Sequence, residues 1–97
     1  MILRICICIP TYNNPLTIRK VVLDCLEQTQ FPVLVIDDGS DRPVSELIDA
    51  SPRVTIVRHA QNQGKGSALQ TAFHEAVKNG YTHLVTIDGD GQHYASE

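Results

Sequence analysis

The sequence lacks an apolar run long enough to cross a bilayer, for which a helix needs about 20 residues. Its longest candidate, Ile2 to Ile9, is interrupted by Arg4 and bounded by Pro10, which also breaks a signal-peptide reading of these first residues. An excess of basic residues is missing too. Eight Lys and Arg stand against eleven Asp and Glu, a net charge of −3. Nucleic-acid-binding domains usually carry a basic patch or stripe, so that partner class is disfavoured. No disulfide framework is present: the cysteines are three, Cys6, Cys8 and Cys25. All three lie at apolar positions, which implies reduced, buried thiols and a cytoplasmic setting. The C-x-C spacing of Cys6 and Cys8 does not suit a structural zinc site. No G-x-G-x-x-G follows the first apolar run, which weighs against a dinucleotide-dependent oxidoreductase. Repeats, low-complexity tracts and internal linkers are absent as well.

What is there is one domain's worth of chain: 97 residues, 42% hydrophobic and 20% charged. A chain of this size buries roughly 60–68% of its unfolded surface, enough for a core with little margin.

Strand and helix patterns alternate from end to end. Ile2 to Ile9 is almost continuously apolar and β-branched, the pattern of a strand covered on both faces. Asn14 then reads as an N-cap and Pro15 as a first helical residue. Leu16, Ile18, Val21, Val22, Cys25 and Leu26 form a helical stripe ending near Thr29. Val33 to Ile36 is a second strand, closed by the turn signal Asp37-Asp38-Gly39-Ser40. Pro43 to Ala50 suits a short helix with Val44, Leu47 and Ile48 inward, and Val54 to Val57 a third strand. After the polar loop Asn62 to Gly66, a helix is marked by Ala68, Leu69, Ala72, Phe73, Ala76 and Val77, with Gly80 as its stop. His83 to Ile87 is a fourth strand, followed by Asp88-Gly89-Asp90-Gly91. The order β-α-β-α-β-α-β predicts an α/β fold, a parallel sheet of about four strands in the order 3-2-1-4 with helices on both faces. Its unfinished edge further suggests pairing with a second copy of the chain.

Ligands of open parallel sheets bind beyond the carboxyl ends of the strands, at the point where strand order reverses. All four polar clusters fall on that edge. Asp88 and Asp90 form a compact anionic turn, which a hard cation such as Mg²⁺ or Mn²⁺ relieves; such ions commonly share one or two carboxylates with substrate phosphates. His93 is a further candidate ligand or diphosphate contact. Lys65, between two glycines at a helix start, suits a diphosphate. Tyr12 offers a face on which a nucleobase stacks. Asp38 can accept a hydrogen bond from a base N–H. Asp37 reads instead as a turn-forming and capping residue, and His59, His74 and His83 as structural or solvated.

Five blocks together resemble the family 2 inverting glycosyltransferases of GT-A fold: Ile9 to Asn13, Gln28-Thr29, Val35 to Ser40, Asn62 to Ala68, and Ile87 to His93. They follow the family's order and span nearly the whole chain. The last block is similar to that of enzymes that load a sugar onto a polyprenyl phosphate. The resemblance implies a Rossmann-like half of a GT-A fold that holds a UDP- or GDP-sugar. Pro10, Thr11, Tyr12 and Asn13 would line the base and ribose pocket, Asp38 would contact the base, and Lys65 would lie near the diphosphate. Asp90 would bind the metal, with Asp88 on the ribose or on the metal and its water.

Two departures accompany the resemblance. Tyr94-Ala95-Ser96 stands where the family often has a proline-rich or acidic segment. Family members also continue past this motif into an acceptor half that carries the general base. Residues 1–97 are therefore expected to be a truncated donor-binding domain, with that base beyond Glu97 and the full-length protein in the cytoplasm or at the cytoplasmic face of a membrane. The alternative is a nucleotide-binding or regulatory module without turnover. A nucleotidyltransferase is disfavoured, because Thr11-Tyr12-Asn13 replaces the glycine- and basic-rich loop such enzymes carry after their first strand.

Overall fold

The computed structural model describes residues 2–89. Four strands, β1 (Ile5–Thr11), β2 (Val33–Asp37), β3 (Val54–Arg58) and β4 (His83–Thr86), form one sheet in the order β3-β2-β1-β4. Every pairing is parallel. Helix α1 (Ile18–Gln28) follows β1, a single 3₁₀ turn at Val44–Glu46 follows β2, and helix α2 (Lys65–Lys78) joins β3 to β4. This is the fold class and the strand order that the alternating pattern predicts.

Side chains of a strand alternate between faces, so each central strand feeds two cores. Ile7, Ile9, Val33 and Val35 point to one face, where Ile18, Val21, Val22 and Cys25 of α1 and Val44 cover them. Cys6, Cys8, Leu34 and Ile36 point to the other, against Ala68, Ala72 and Ala76 of α2. The alternation continues past the end of β2. Asp37 emerges on the α1 side and Asp38 on the α2 side, which gives two adjacent carboxylates different partners.

Several local expectations are corrected. β1 begins at Ile5, and Ile2 and Leu3 are exposed. Helix α1 starts later than the Asn-Pro signal suggests, with Thr17 at the cap position. The Asn14 carbonyl accepts the amides of Thr17 and Ile18, but its side chain turns back to the end of β1 and caps nothing. Leu16 thus sits in the turn before the helix, off the buried face, and is 94% exposed. The buried residues of α2 are the alanine row, Ala68, Ala72 and Ala76. Phe73 and Val77, each about 100° further round the helix, stay exposed. The segment after Pro43 makes one 3₁₀ turn, from which Leu47 and Ile48 still pack on the core.

Candidate functional site

Three strand ends and the start of α2 enclose a cavity of about 390 Å³, lined by Pro10, Thr11, Tyr12, Asn14, Asp38, Asn62, Gly64, Lys65, Ala68, Asp88 and Gly89. It lies beyond the carboxyl ends of β1, β2 and β4, beside the reversal of strand order between β1 and β4.

The wall from β1 carries the half-exposed Tyr12, the one aromatic side chain in the lining among the described residues. The hydroxyl of Thr11 donates to Asn14 Oδ1 over 2.6 Å, and the same oxygen accepts the Tyr12 amide. Asn13 is not part of this wall. Its backbone is left-handed (φ 52°), a conformation asparagine tolerates better than most residues. Its side-chain oxygen accepts the Asp41 amide and its own amide donates to Ser40 Oγ. It lines a neighbouring pocket of about 290 Å³ with Ser40, Asp41 and Arg42. Asn14, read from sequence as a cap, takes its place in the cavity.

The two carboxylates at the end of β2 are both spent internally. Asp37 Oδ1 accepts the Ser40 amide, while Oδ2 accepts the Val44 amide and Arg58 Nη1 at 2.7 Å. Burial alone would raise its pKa, but the amide, Ser40 and Arg58 hydrogen bonds outweigh it and the carboxyl lies below its ordinary value. That is the turn-forming and capping role the sequence suggests. Asp38 lines the cavity but is only 3% exposed. Its Oδ1 accepts the Gln63 amide and faces His59 Nδ1 at 2.8 Å; its Oδ2 accepts Asn62 Nδ2 and the Gly64 amide. Burial raises and these bonds lower its pKa, with a net downward shift. Two hydrogen bonds to each oxygen fill the usual acceptor sites of a carboxylate. All four are used within the chain, and the side chain fastens the Asn62–Gly64 loop.

That loop delivers Lys65, the first residue of α2. Gly64 before it has φ 97°, open to glycine and strained for other residues. Helix first turns carry amides without intrahelical acceptors, and this one begins in the cavity wall. Lys65 Nζ reaches Asp88 Oδ1 at 3.0 Å. Below Asp88 the chain is packed tightly. A Cβ on Gly89 would meet the Thr11 side chain at 2.8 Å, and the Gly89 carbonyl accepts the Thr17 hydroxyl. Of the expected site residues, Pro10, Thr11, Tyr12, Asp38, Lys65 and Asp88 come together here, and Asn13 does not. Asp90 and His93 lie outside the described residues, and among the described residues no cluster of three or more potential metal ligands occurs. Asn14, Asn62 and Ala68 are cavity residues to which sequence reasoning gave no ligand role, although Asn62 and Ala68 stand within the Asn-Gln-Gly-Lys-Gly-Ser-Ala block.

A parallel sheet with a cavity at its reversal point defines an open α/β domain of the ligand-binding kind. The particular family follows from comparison: residues 6–97 match the profile of glycosyl transferase family 2, and the chain belongs to that family. It is 35% identical to polyprenol monophosphomannose synthase of Mycolicibacterium smegmatis, over 97% of this chain and 38% of the relative. It is 33% identical to glycosyltransferase AglJ of Haloferax volcanii, over 96% of this chain and 29% of that protein. A third relative, UDP-N-acetylglucosamine–dolichyl-phosphate N-acetylglucosaminyltransferase of Methanococcus voltae, is 30% identical over 88% of the chain and 40% of its own length. The chain thus spans two fifths or less of these relatives. No helix among the described residues is long and apolar enough to cross a membrane.

Proposed function

We propose that this chain is the donor-binding part of a glycosyltransferase and holds a nucleoside diphosphate sugar, with a divalent cation, for inverting transfer. The observation that carries the reading is the convergence of Tyr12, Lys65 and Asp88 on one cavity of about 390 Å³. Ligand sites of a few hundred Å³ are the usual size for small molecules. Tyr12 stacks on the base, with Pro10, Thr11 and Asn14 around base and ribose. Lys65 and the first turn of α2 take the diphosphate, whose charge suits both the ammonium and the helix dipole. Asp38 keeps the loop in place.

Asp88 suits a share in a hard cation: it is a partly exposed carboxylate beside the position assigned to phosphate oxygens, and Mg²⁺ and Mn²⁺ take such oxygen donors. Asp90, two residues on, is proposed as the direct ligand on its spacing in the sequence. Such a cation, when bound, would stabilise charge on the departing diphosphate.

In the transfer, an acceptor oxygen bonds to the anomeric carbon as the bond to the diphosphate oxygen breaks. Asp38 is saturated and Asp88 is assigned to the cation, so neither of these two carboxylates serves as a general base. A hydroxyl acceptor would need a base from outside the described residues. A polyprenyl phosphate, the acceptor type suggested by two relatives' names, brings an oxygen already ionised near neutral pH. We assign the acceptor to that class, and with it a place at the cytoplasmic face of a membrane.

Titration calorimetry with UDP and GDP tests the donor site. Binding is expected with Mn²⁺ or Mg²⁺, loss with chelator, and marked weakening in Asp90→Ala. Metal-independent binding, or equal affinity in the variant, removes Asp90 from the site. Donor hydrolysis assayed beside binding separates an enzyme from a nucleotide-binding module without turnover.

A further inference from the structure

His59 belongs to no motif and does not line the cavity, yet it is held at both ring nitrogens. It leaves the end of β3 with its amide on the Asp37 carbonyl, and its side chain is 9% exposed. Nδ1 lies 2.8 Å from Asp38 Oδ1, and Nε2 lies 2.8 Å from Thr71 Oγ1 of α2. An ionised carboxylate only accepts, so Nδ1 carries the proton and, in the neutral ring, Nε2 accepts from the Thr71 hydroxyl. The ring is a rigid spacer between the second turn of α2 and a carboxylate beyond β2. The other three bonds of that carboxylate go to the loop: Asn62 Nδ2 and the amides of Gln63 and Gly64, all within 2.9 Å.

We propose that His59 is a positioning residue for the donor pocket. Braced by Thr71, it fixes the Asp38 carboxylate, which fixes the Gln63–Gly64 backbone and so sets Lys65 and the start of α2 at the cavity wall. Both ends of the loop are thereby tied to the same helix, one through Gly64 and the other through His59 and Thr71. The ligand named here rests on the donor-binding reading above; the loop geometry does not.

Hydrogen exchange at the Gln63 and Gly64 amides, followed by NMR without ligand, reads the loop directly, and calorimetry with UDP and GDP reads its consequence. Losing a hydrogen bond to a charged group corresponds to about a tenfold effect or more. In His59→Leu, exchange at both amides should be about tenfold faster and nucleotide affinity about tenfold weaker. Thr71→Val should show the same losses in smaller measure, and it decides the matter if His59→Leu does not fold. His59→Asn places an amide N–H near the position of Nδ1 and should restore both readouts. His59→Gln reaches toward Thr71 and should not. Wild-type exchange in the Leu or Val variant overturns the proposal, as does equal behaviour of the Asn and Gln variants. If the wild type binds neither nucleotide, the donor-site reading fails, and the exchange data still decide the role of His59 in the loop.

Discussion

Lys65 Nζ stands 3.0 Å from Asp88 Oδ1 and joins the first residue of α2 to the segment after β4 within one cavity wall. The lysine side chain is 65% exposed and the carboxylate 29%. A pair this open to water contributes at most about 1 kcal/mol to stability. On the proposed donor-site reading, a diphosphate, which carries more charge than one carboxylate, would displace it from the ammonium. Lys65→Met should therefore leave the denaturation midpoint nearly unchanged while weakening UDP or GDP binding by about tenfold or more. Wild-type affinity in that variant would remove Lys65 from the proposed site.

Gly39 and Gly66 provide a contrast between two glycines of the same rim. Gly39 has φ 75°, and a Cβ there would fall 2.5 Å from the backbone of Gln61 and Asn62. No side chain can yield at that contact. Gly39→Ala should cost about 2–4 kcal/mol in urea unfolding. Gly66 lies in the first turn of α2, and a methyl group added there would have nothing within 4 Å. Gly66→Ala should be neutral or stabilise by up to about 1 kcal/mol. A reversed ranking would mean that the turn after β2 does not lie against the Asn62 loop.

The fold was legible because its signal is local. Runs such as Val33 to Ile36 are apolar on both faces, and each ends in a polar turn, which is enough to set a parallel sheet and its working edge. The cavity loops were legible for the same reason. What escaped the sequence depends on partners far along the chain. Asn13 and Asn14 are equivalent as letters, but Asn13 is drawn away by the amide of Asp41, 28 residues on. Asp38 looks like a free carboxylate until the loop 24 to 26 residues later folds over it. Phe73 and Val77 fit a helical stripe by spacing, yet the closeness permitted by Ala68, Ala72 and Ala76 narrows the buried face to the alanine row.

Arg53 illustrates a further long-range device. At the approach to β3, its guanidinium donates to the carbonyls of Leu26, Thr29 and Phe31 at 2.8–3.0 Å. These oxygens include the unpaired end of α1, where a positive charge also suits the helix dipole. Arg53→Ala should lower stability by about 2–3 kcal/mol, and Arg53→Lys should recover little, because one ammonium cannot span three carbonyls. Full recovery by lysine would indicate that charge alone matters there.

The thiols should be silent in the folded chain. Burial raises the Cys6 and Cys25 thiols, with a smaller contribution from Asp24 at Cys25, and pushes Cys8 up to about 12. The thiolate is the reacting form. Iodoacetamide at pH 8 should leave all three unmodified by mass spectrometry until urea unfolds the protein. Rapid native labelling of Cys6 or Cys8 would contradict the packing of β1 against α2.

Acid should unfold the domain through its two strand-end carboxylates. Asp37 and Asp38 are buried, which by itself raises their pKa values, yet the hydrogen bonds they accept lower both below the ordinary carboxylate value. Between the folded pKa values and the unfolded one, near 3.9, the unfolded chain binds more protons than the folded one. Stability therefore rises with pH across that window. The contribution is fully present above the unfolded value and is lost as pH falls through the folded values. Urea midpoints measured from pH 2 to pH 7 should be level near neutrality and fall steeply below about pH 4. Asp37→Asn should be less stable at pH 7, because the Arg58 guanidinium loses its anionic partner, and its acid-side slope should be shallower than that of the wild type. Parallel slopes in the two proteins would show that Asp37 does not carry the acid sensitivity.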